Sequence, residues 1–238
     1  MRDSLDVLRP AVSVAQVSVD MTHALQQLEF YRQAGVRATA THLLVRAAAR
    51  ALADNVGLHQ LIAGNRRQKP ASVDIGLSVT GETFVAPVVV IERADQKTVP
   101  EIAAEVTRRV PEAQEADRRL RQSLKRWGWL VPFAPVRRAL LRMQFSNPMV
   151  RRRIAGTFQV STVPVDWAMT STLVTSGVLI GGQVRSRVVV IDGQPAVRPM
   201  MNLTLSGDHG VWDGRAATRF LAAVQTVLEA TPEADATS

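Results

Sequence analysis

Apolar residues recur along this chain with two periods, and the switches between them predict the order of elements. In VSVAQVSVD (Val12 to Asp20) β-branched residues fall in two alternating pairs, the pattern of a strand. MTHALQQLEFYRQAG then sets Met21, Leu25, Leu28 and Tyr31 on one helical stripe and ends in Gly35, a stop signal. THLLVRAAARALADN is Ala- and Leu-rich and predicts a mostly buried helix. VDIGLSV and TFVAPVVVIERAD flank the turn signal Thr80-Gly81-Glu82 and predict two strands, with Pro87 in or beside the second. TVPEIAAEVTRRV predicts a helix opened by a Thr98/Glu101 capping box, with Val99, Ile102, Ala103, Val106 and Val110 on one face.

A basic stretch follows, LRQSLKRWGWLVPFAPVRRALLRMQFSNPMVRRRI, which Pro132, Pro135 and Pro148 divide into short helical pieces. Strand patterns resume at GTFQVSTV, SGVLIGGQVR, SRVVVIDG and VRPMMNLTLSGDH. The last helix, GRAATRFLAAVQTVLEA, aligns Ala217, Phe220, Leu221, Val224 and Leu228. Strands outnumber single-helix crossovers, which predicts an α/β fold with a mixed β-sheet covered by helices. The chain reads as an N-terminal arm over 1–11, a single domain over 12–230 with a basic helical insertion at about 113–153, and a flexible tail over 231–238.

Composition narrows the function. The 238 residues, 46% of them hydrophobic, suffice for a real core. No apolar run approaches the roughly 18 residues of a membrane span, and MRDSLDVLRP carries charges where a signal peptide would be apolar, so the expected location is cytoplasmic. The absence of cysteine excludes thiol nucleophiles, disulfides and cysteine zinc sites, and no metal is expected. No Gly-rich phosphate loop follows a strand. The formal charge of +8 is concentrated: from Arg118 to Val165 there is no Asp or Glu, while RRLR, KR, RR and RRR recur.

Candidate chemistry lies in LSGDHGVWDG, residues 205 to 214. The strand pattern ends and the helix pattern begins here, so His209 sits where a side chain projects into a cleft. A histidine so placed can accept a proton near neutral pH and return it, as a general base. Asp213 can hold the turn, and Gly214 can permit a conformation that a side chain forbids. Taken alone, His-x-x-x-Asp-Gly fits a structural turn more readily than a catalytic one.

The neighbouring residues sharpen this. MMNLTLSGDHGVWDGRAATRFL resembles the terminal block of the catalytic domain of 2-oxoacid dehydrogenase acyltransferases, which share a fold with chloramphenicol acetyltransferase. GTFQVST (Gly156 to Thr162) resembles that family's G-G-T-F-T-I-S-N stretch, and the order of elements over 12–112 and 155–230 is similar. The resemblance implies direct acyl transfer with no acyl-enzyme, His209 acting as base on a thiol or hydroxyl acceptor and Ser161 donating a hydrogen bond to the oxyanion. It implies a structural role for Asp213 and a homotrimer whose active sites lie in tunnels between subunits. The resemblance further implies no permanently bound cofactor, with acetyl-CoA or another acyl-CoA as co-substrate.

Departures from the family pattern point to a specialised member. The MRDSLDVLRPA start offers no lipoyl domain, and TPEADATS stands where complex-forming members carry an apolar anchor, which predicts a free trimer. Gly210 replaces the arginine of D-H-R, and Trp212 takes a usually aliphatic place; with Thr162 they are the candidates for the substrate tunnel. These features predict a stand-alone O-acyltransferase with a small-molecule hydroxyl acceptor, free or on a carrier protein. Relatives in tetronate polyketide assembly provide one such precedent. The rival readings are an oxoacid dehydrogenase core fed by a lipoyl domain on another chain, and a non-catalytic trimeric scaffold. For the segment 118–153 three readings compete: a solvated helical pair packed on the body, peripheral contact with a membrane or an acidic partner, and binding of coenzyme A phosphates. No nucleic-acid motif accompanies the charge, so nucleic acid is not an expected partner.

Overall fold

The computed structural model describes residues 12–55, 57–63, 66–79, 86–130, 143, 147–170 and 175–231. The predicted turn at Thr80-Gly81-Glu82, the prolines Pro132 and Pro135, the arm 1–11 and the end of the tail lie outside these residues. Strand β1 (Val12–Asp20) is followed by α1 (Thr22–Gln33), α2 (Ala40–Asp54), a hairpin of β2 (Leu61–Ala63) and β3 (Arg66–Gln68), β4 (Ile75–Ser78) and β5 (Val88–Ile91). Then come α3 (Val99–Leu130), α4 (Pro148–Ala155), β6 (Phe158–Thr162), β7 (Gly177–Gly181), β8 (Arg185–Ile191), β9 (Gln194–Asp208) and α5 (Gly214–Glu229).

The main sheet runs β1-β9-β7-β6-β4-β5, with β8 pairing the first half of β9. It is mixed as expected, β6 lying parallel to both β4 and β7 while the other pairs are antiparallel. One register row, Ala15–Leu205–Leu179–Val160–Leu77–Val89, is apolar across six strands and faces the core. Helices α2 and α5 cover that face through Leu44, Leu52, Phe220, Val224 and Leu228, with the Phe158 and Phe220 rings 5.4 Å apart. Each such buried side chain contributes about 2 kcal/mol. The adjacent row, Gln16–Thr204–Ile180–Ser161, points to the opposite face because successive strand residues alternate.

Two expectations change. In α1 the buried stripe is Met21, Ala24 and Tyr31, whereas Leu25 is 38% exposed, because the helix turns its small Ala24 toward the core. Helix α3 does not end near Val110. It runs on through Pro111 to Leu130 in one piece, replacing the first of the short pieces expected for the basic stretch. Pro111 removes one hydrogen bond, but the good helix formers after it and a Glu115–Arg119 pair at 2.9 Å carry the helix onward. Pro148 opens α4 at its first turn, behind Asn147, whose side chain accepts from Met149 N.

Candidate active site

His209 follows the last residue of β9 and opens the turn into α5. Asp208 builds that turn: its carbonyl accepts from Val211 N at 2.8 Å and its Oδ1 from Gly210 N at 2.8 Å. The imidazole is exposed, and its Nδ1 lies 3.0 Å from the carbonyl oxygen of Trp212. A carbonyl can only accept, so Nδ1 carries the proton and a neutral ring keeps its lone pair on Nε2. Among the described residues Nε2 has no partner.

Trp212 is what fixes that carbonyl. Its indole is 3% exposed, donates to Ser176 O at 3.3 Å, and fills the space left by Gly207, where a Cβ would stand 2.6 Å from Nε1. Trp212 is therefore an anchor in the core and not the tunnel surface expected from sequence. Asp213 caps α5, its Oδ1 accepting from Ala216 N at 2.8 Å. Gly214 lies in the first helical turn without a positive φ, and an added Cβ would meet nothing within 4 Å, so no special conformation requires glycine there. Gly210 sits inside the turn, its Cβ position 3.0 Å from Asp208 Oδ1.

Ser161 and Thr162 point to opposite faces of the sheet. Thr162 Oγ1 pairs with Thr41 Oγ1 at 3.0 Å, beside α2, which removes it from the face that carries Ser161. Ser161 is half-buried and its hydroxyl has no hydrogen-bond partner among the described residues. In register it stands level with Ile180 and Thr204, two strands from β9 and five residues before His209. At about 3.3 Å per residue and 4.8 Å per strand, the two lie about 20 Å apart within one chain. One chain thus gathers His209, Gly210, Trp212, Asp213 and Gly214 in a single turn and leaves Ser161 distant.

Sequence reasoning missed the polar character of the Ser161 face. Asn202, Thr204 and Ser206 line it, all buried; Gln16 Nε2 donates to Thr204 Oγ1 at 3.3 Å and Ser18 Oγ to Asn202 Oδ1 at 2.8 Å. The alternation in MMNLTLSGD carries the signal, since its polar positions are every second residue. Also unforeseen was a buried network around Asp74. Its carboxylate accepts from Arg152 of α4, from Ser72 Oγ at 2.9 Å and from Arg93 N at 3.0 Å. Thr157 Oγ1 bridges Asp74 O to His59 Nε2, and burial pushes the His59 imidazole down to about 4. His42, also buried and lowered, bonds Thr39 N, while His23 lies at the surface beside Gln26. A cleft of about 840 Å³ between β5, α3 and α4 contains neither Ser161 nor His209.

The family model for the 2-oxoacid dehydrogenases acyltransferase (catalytic domain) matches residues 3–123 and 173–234, which include the whole His209 turn. The chain belongs to this family. Ser161 and α4 lie in the interval 124–172 that the model leaves unmatched. A stretch of 78 residues is 41% identical to the dihydrolipoyllysine-residue succinyltransferase component of the 2-oxoglutarate dehydrogenase complex of Bartonella vinsonii subsp. berkhoffii, covering 31% of this chain and 19% of that protein. The lipoamide acyltransferase component of the branched-chain alpha-keto acid dehydrogenase complex of Bacillus subtilis (strain 168) is 27% identical over 205 residues, 86% of this chain and 42% of its own length. This family member thus spans under half the length of these curated relatives. Its fold is that of a probable dihydrolipoamide acetyltransferase from Listeria monocytogenes 4b F2365, with a TM-score of 0.72 at 22% identity, covering 98% of this chain and 91% of that one. Chloramphenicol acetyltransferase is similar at a TM-score of 0.55 and 16% identity, covering 95% of this chain and 94% of that one.

Proposed function

We propose that this chain catalyses direct acyl transfer from an acyl-CoA to a small-molecule hydroxyl, with acetyl as the group carried and with each active site shared between copies of a homotrimer. The observation that carries the reading is the His209 ring, tethered at Nδ1 by the Trp212 carbonyl while Nε2 has no partner among the described residues. In this reaction Nε2 takes the proton of the acceptor hydroxyl as its oxygen attacks the thioester carbonyl. The tetrahedral intermediate bears an oxyanion, to which the Ser161 hydroxyl of a neighbouring copy donates; such a donor is worth about 3 kcal/mol in a dry site. Collapse breaks the C–S bond, and the imidazolium returns its proton to the departing coenzyme A thiolate. Asp213 holds the turn as a helix cap, without touching substrate.

The test is acetyl transfer from acetyl-CoA by the purified chain, with dihydrolipoamide compared against primary alcohols, hydroxymethyl tetronates included, and His209→Ala alongside. Ester formation lost in the variant is the expected result. Transfer to dihydrolipoamide alone favours the second reading, a core that exchanges acyl groups between lipoyl groups and coenzyme A. The relatives' names support that reading, and so does structural similarity, at a TM-score of 0.67 and 21% identity, to the cubic core of the pyruvate dehydrogenase multienzyme complex. Assembly size separates the two: the first reading predicts a trimer of about 78 kDa from the 26.0 kDa chain, the second a much larger cage.

A further inference from the structure

We infer that the hairpin of β8 and the first half of β9 is the arm by which one copy of this chain holds the next, its valine face lying against the neighbouring copy. Strand β8 pairs along residues 194–200 and turns at Asp192-Gly193, where both φ angles are positive, 50° and 77°, as a two-residue hairpin turn requires. The pairing of β1 with β9 reaches only to Met200, and that of β7 begins only at Leu203. Among the described residues, 194–199 therefore have β8 as their one neighbouring strand, and the sheet ends in a two-stranded arm about 20 Å long at 3.3 Å per residue. Two strands alone are marginally stable in water, so this arm needs a further partner.

The two faces of the arm differ. Directly opposed residues share a face, so Arg187 lies with Arg198, and Val188 with Val197. The arginine face is engaged by its own chain: Arg185 and Arg187 pair with Asp166 at 2.8 and 3.3 Å, and Arg198 with Asp20 at 3.8 Å. The other face carries Val188, Val190, Pro195 and Val197 without a charge, and the three valines are 72%, 74% and 69% exposed. Along β9 it is continuous with Met201, Leu203 and Leu205, which the core buries. The core face of the sheet thus runs out beyond the helices that cover it. At that limit Pro199 lines a groove with Leu25 and Phe30 of α1.

What the arm is tied to identifies what covers the valines. Asp166, to which Arg185 and Arg187 attach, stands five residues after Ser161; its carbonyl accepts from Asn202 Nδ2 at 3.2 Å and fills the space left by Gly182. The arm is therefore fixed to the segment that leads out of the Ser161 strand, the half-site that lacks a histidine. A second copy brings that histidine, so this choice of occupant rests on the acyl-transfer reading. The chemistry agrees with it. An anionic surface or polymer would need free cations beside the valines, whereas a protein surface offers apolar side chains and, for the unpaired edges of the arm, backbone donors and acceptors.

Analytical ultracentrifugation of the full chain, unaltered and as Val188→Asp with Val197→Asp, tests the arm. The unaltered chain should sediment as a trimer or a multiple of it, and the aspartate variant as the 26.0 kDa monomer, with circular dichroism showing it folded. Val188→Thr with Val197→Thr keeps β-branched residues in the strands and should weaken self-association about a hundredfold, at about tenfold for each valine withdrawn from a buried contact. Amide hydrogen exchange over 185–199 should be slow in the unaltered assembly and fast in the aspartate variant. His209→Ala should stay assembled, and an unaltered chain that assembles without transferase activity supports the arm while counting against the acyl-transfer reading. A monomeric unaltered chain, assembly that survives the aspartate pair, or equal exchange over 185–199 in monomer and assembly overturns the inference.

Discussion

Ser161 lies level with Thr204 in the sheet register, and His209 follows Thr204 by five residues on a strand two places away. The separation of about 20 Å runs along rigid, hydrogen-bonded strands, so side-chain motion does not close it. If the two groups act on one thioester, they act from different copies, and an isolated chain has only half of each site.

That arrangement predicts complementation. His209→Ala should cut transfer by about a thousandfold and Ser161→Ala by about a hundredfold, with the fold intact. Co-expressed or exchanged together, the two variants should regain activity above either alone, because some interfaces then pair an intact histidine with an intact serine. Turnover of the mixture no higher than that of its better component would show that the site does not span two copies.

Trp212 should matter through its anchoring of the turn. Trp212→Ala removes a buried indole and should lower stability by about 3–5 kcal/mol, while Trp212→Phe keeps most of the packing and loses only the bond to the Ser176 carbonyl. The phenylalanine variant should therefore stay folded yet lose catalytic rate, since the carbonyl that orients His209 is less firmly held. Thermal melts beside initial rates separate the two effects.

The pair between Arg152 and Asp74 ties α4 to β4 ahead of the strand that bears Ser161. Asp74 is buried, so Arg152→Leu strands a carboxylate and should cost about 3 kcal/mol. Pairing it with Asp74→Asn should restore part of that loss, because the amide still accepts from Ser72 and Arg93 N without an unpaired charge. Urea titration of the single and double variants measures the difference.

His59 should make stability depend on pH. Its folded pKa of about 4 lies below the ordinary 6.5, chiefly through burial, so the fold favours the neutral ring. The contribution is complete above about pH 6.5 and is lost as pH falls toward about 4, by up to about 3 kcal/mol, with His42 acting in the same direction. His59→Gln should flatten the dependence of melting temperature on pH across that window; an unchanged slope would assign it to other groups.

Much of the fold was legible because its signals are local. The helical stripe of α5 from Ala217 to Leu228 is the buried one, and the alternation in MMNLTLSGD sets Leu203 and Leu205 on the core face; in VSVAQVSVD only the second pair, Val17 and Val19, packs on the core, while Val12 and Val14 are exposed. The Asp-His-Gly turn with Asp213 at a helix start was visible for the same reason. Where the local signal misled at Trp212, a remote partner was responsible: the indole looked available to substrate until Ser176 and Gly207 enclosed it. The conformational freedom read into Gly214 is not called on, since its φ is not positive and its surroundings are open.

The amino-acid sequence by itself determined the mixed α/β class, the family, and the histidine at the end of a strand, because periodicity, turn chemistry and a contiguous motif are all encoded at short range. Tertiary structure alone decided that Arg152 meets Asp74 across 78 positions, that His59 is kept neutral, and that Ser161 faces away from Thr162 and stands far from His209 within one chain. Those relations depend on strand order and register, which are fixed by the packing of helices α2 and α5 on one apolar face and not by any single stretch of residues.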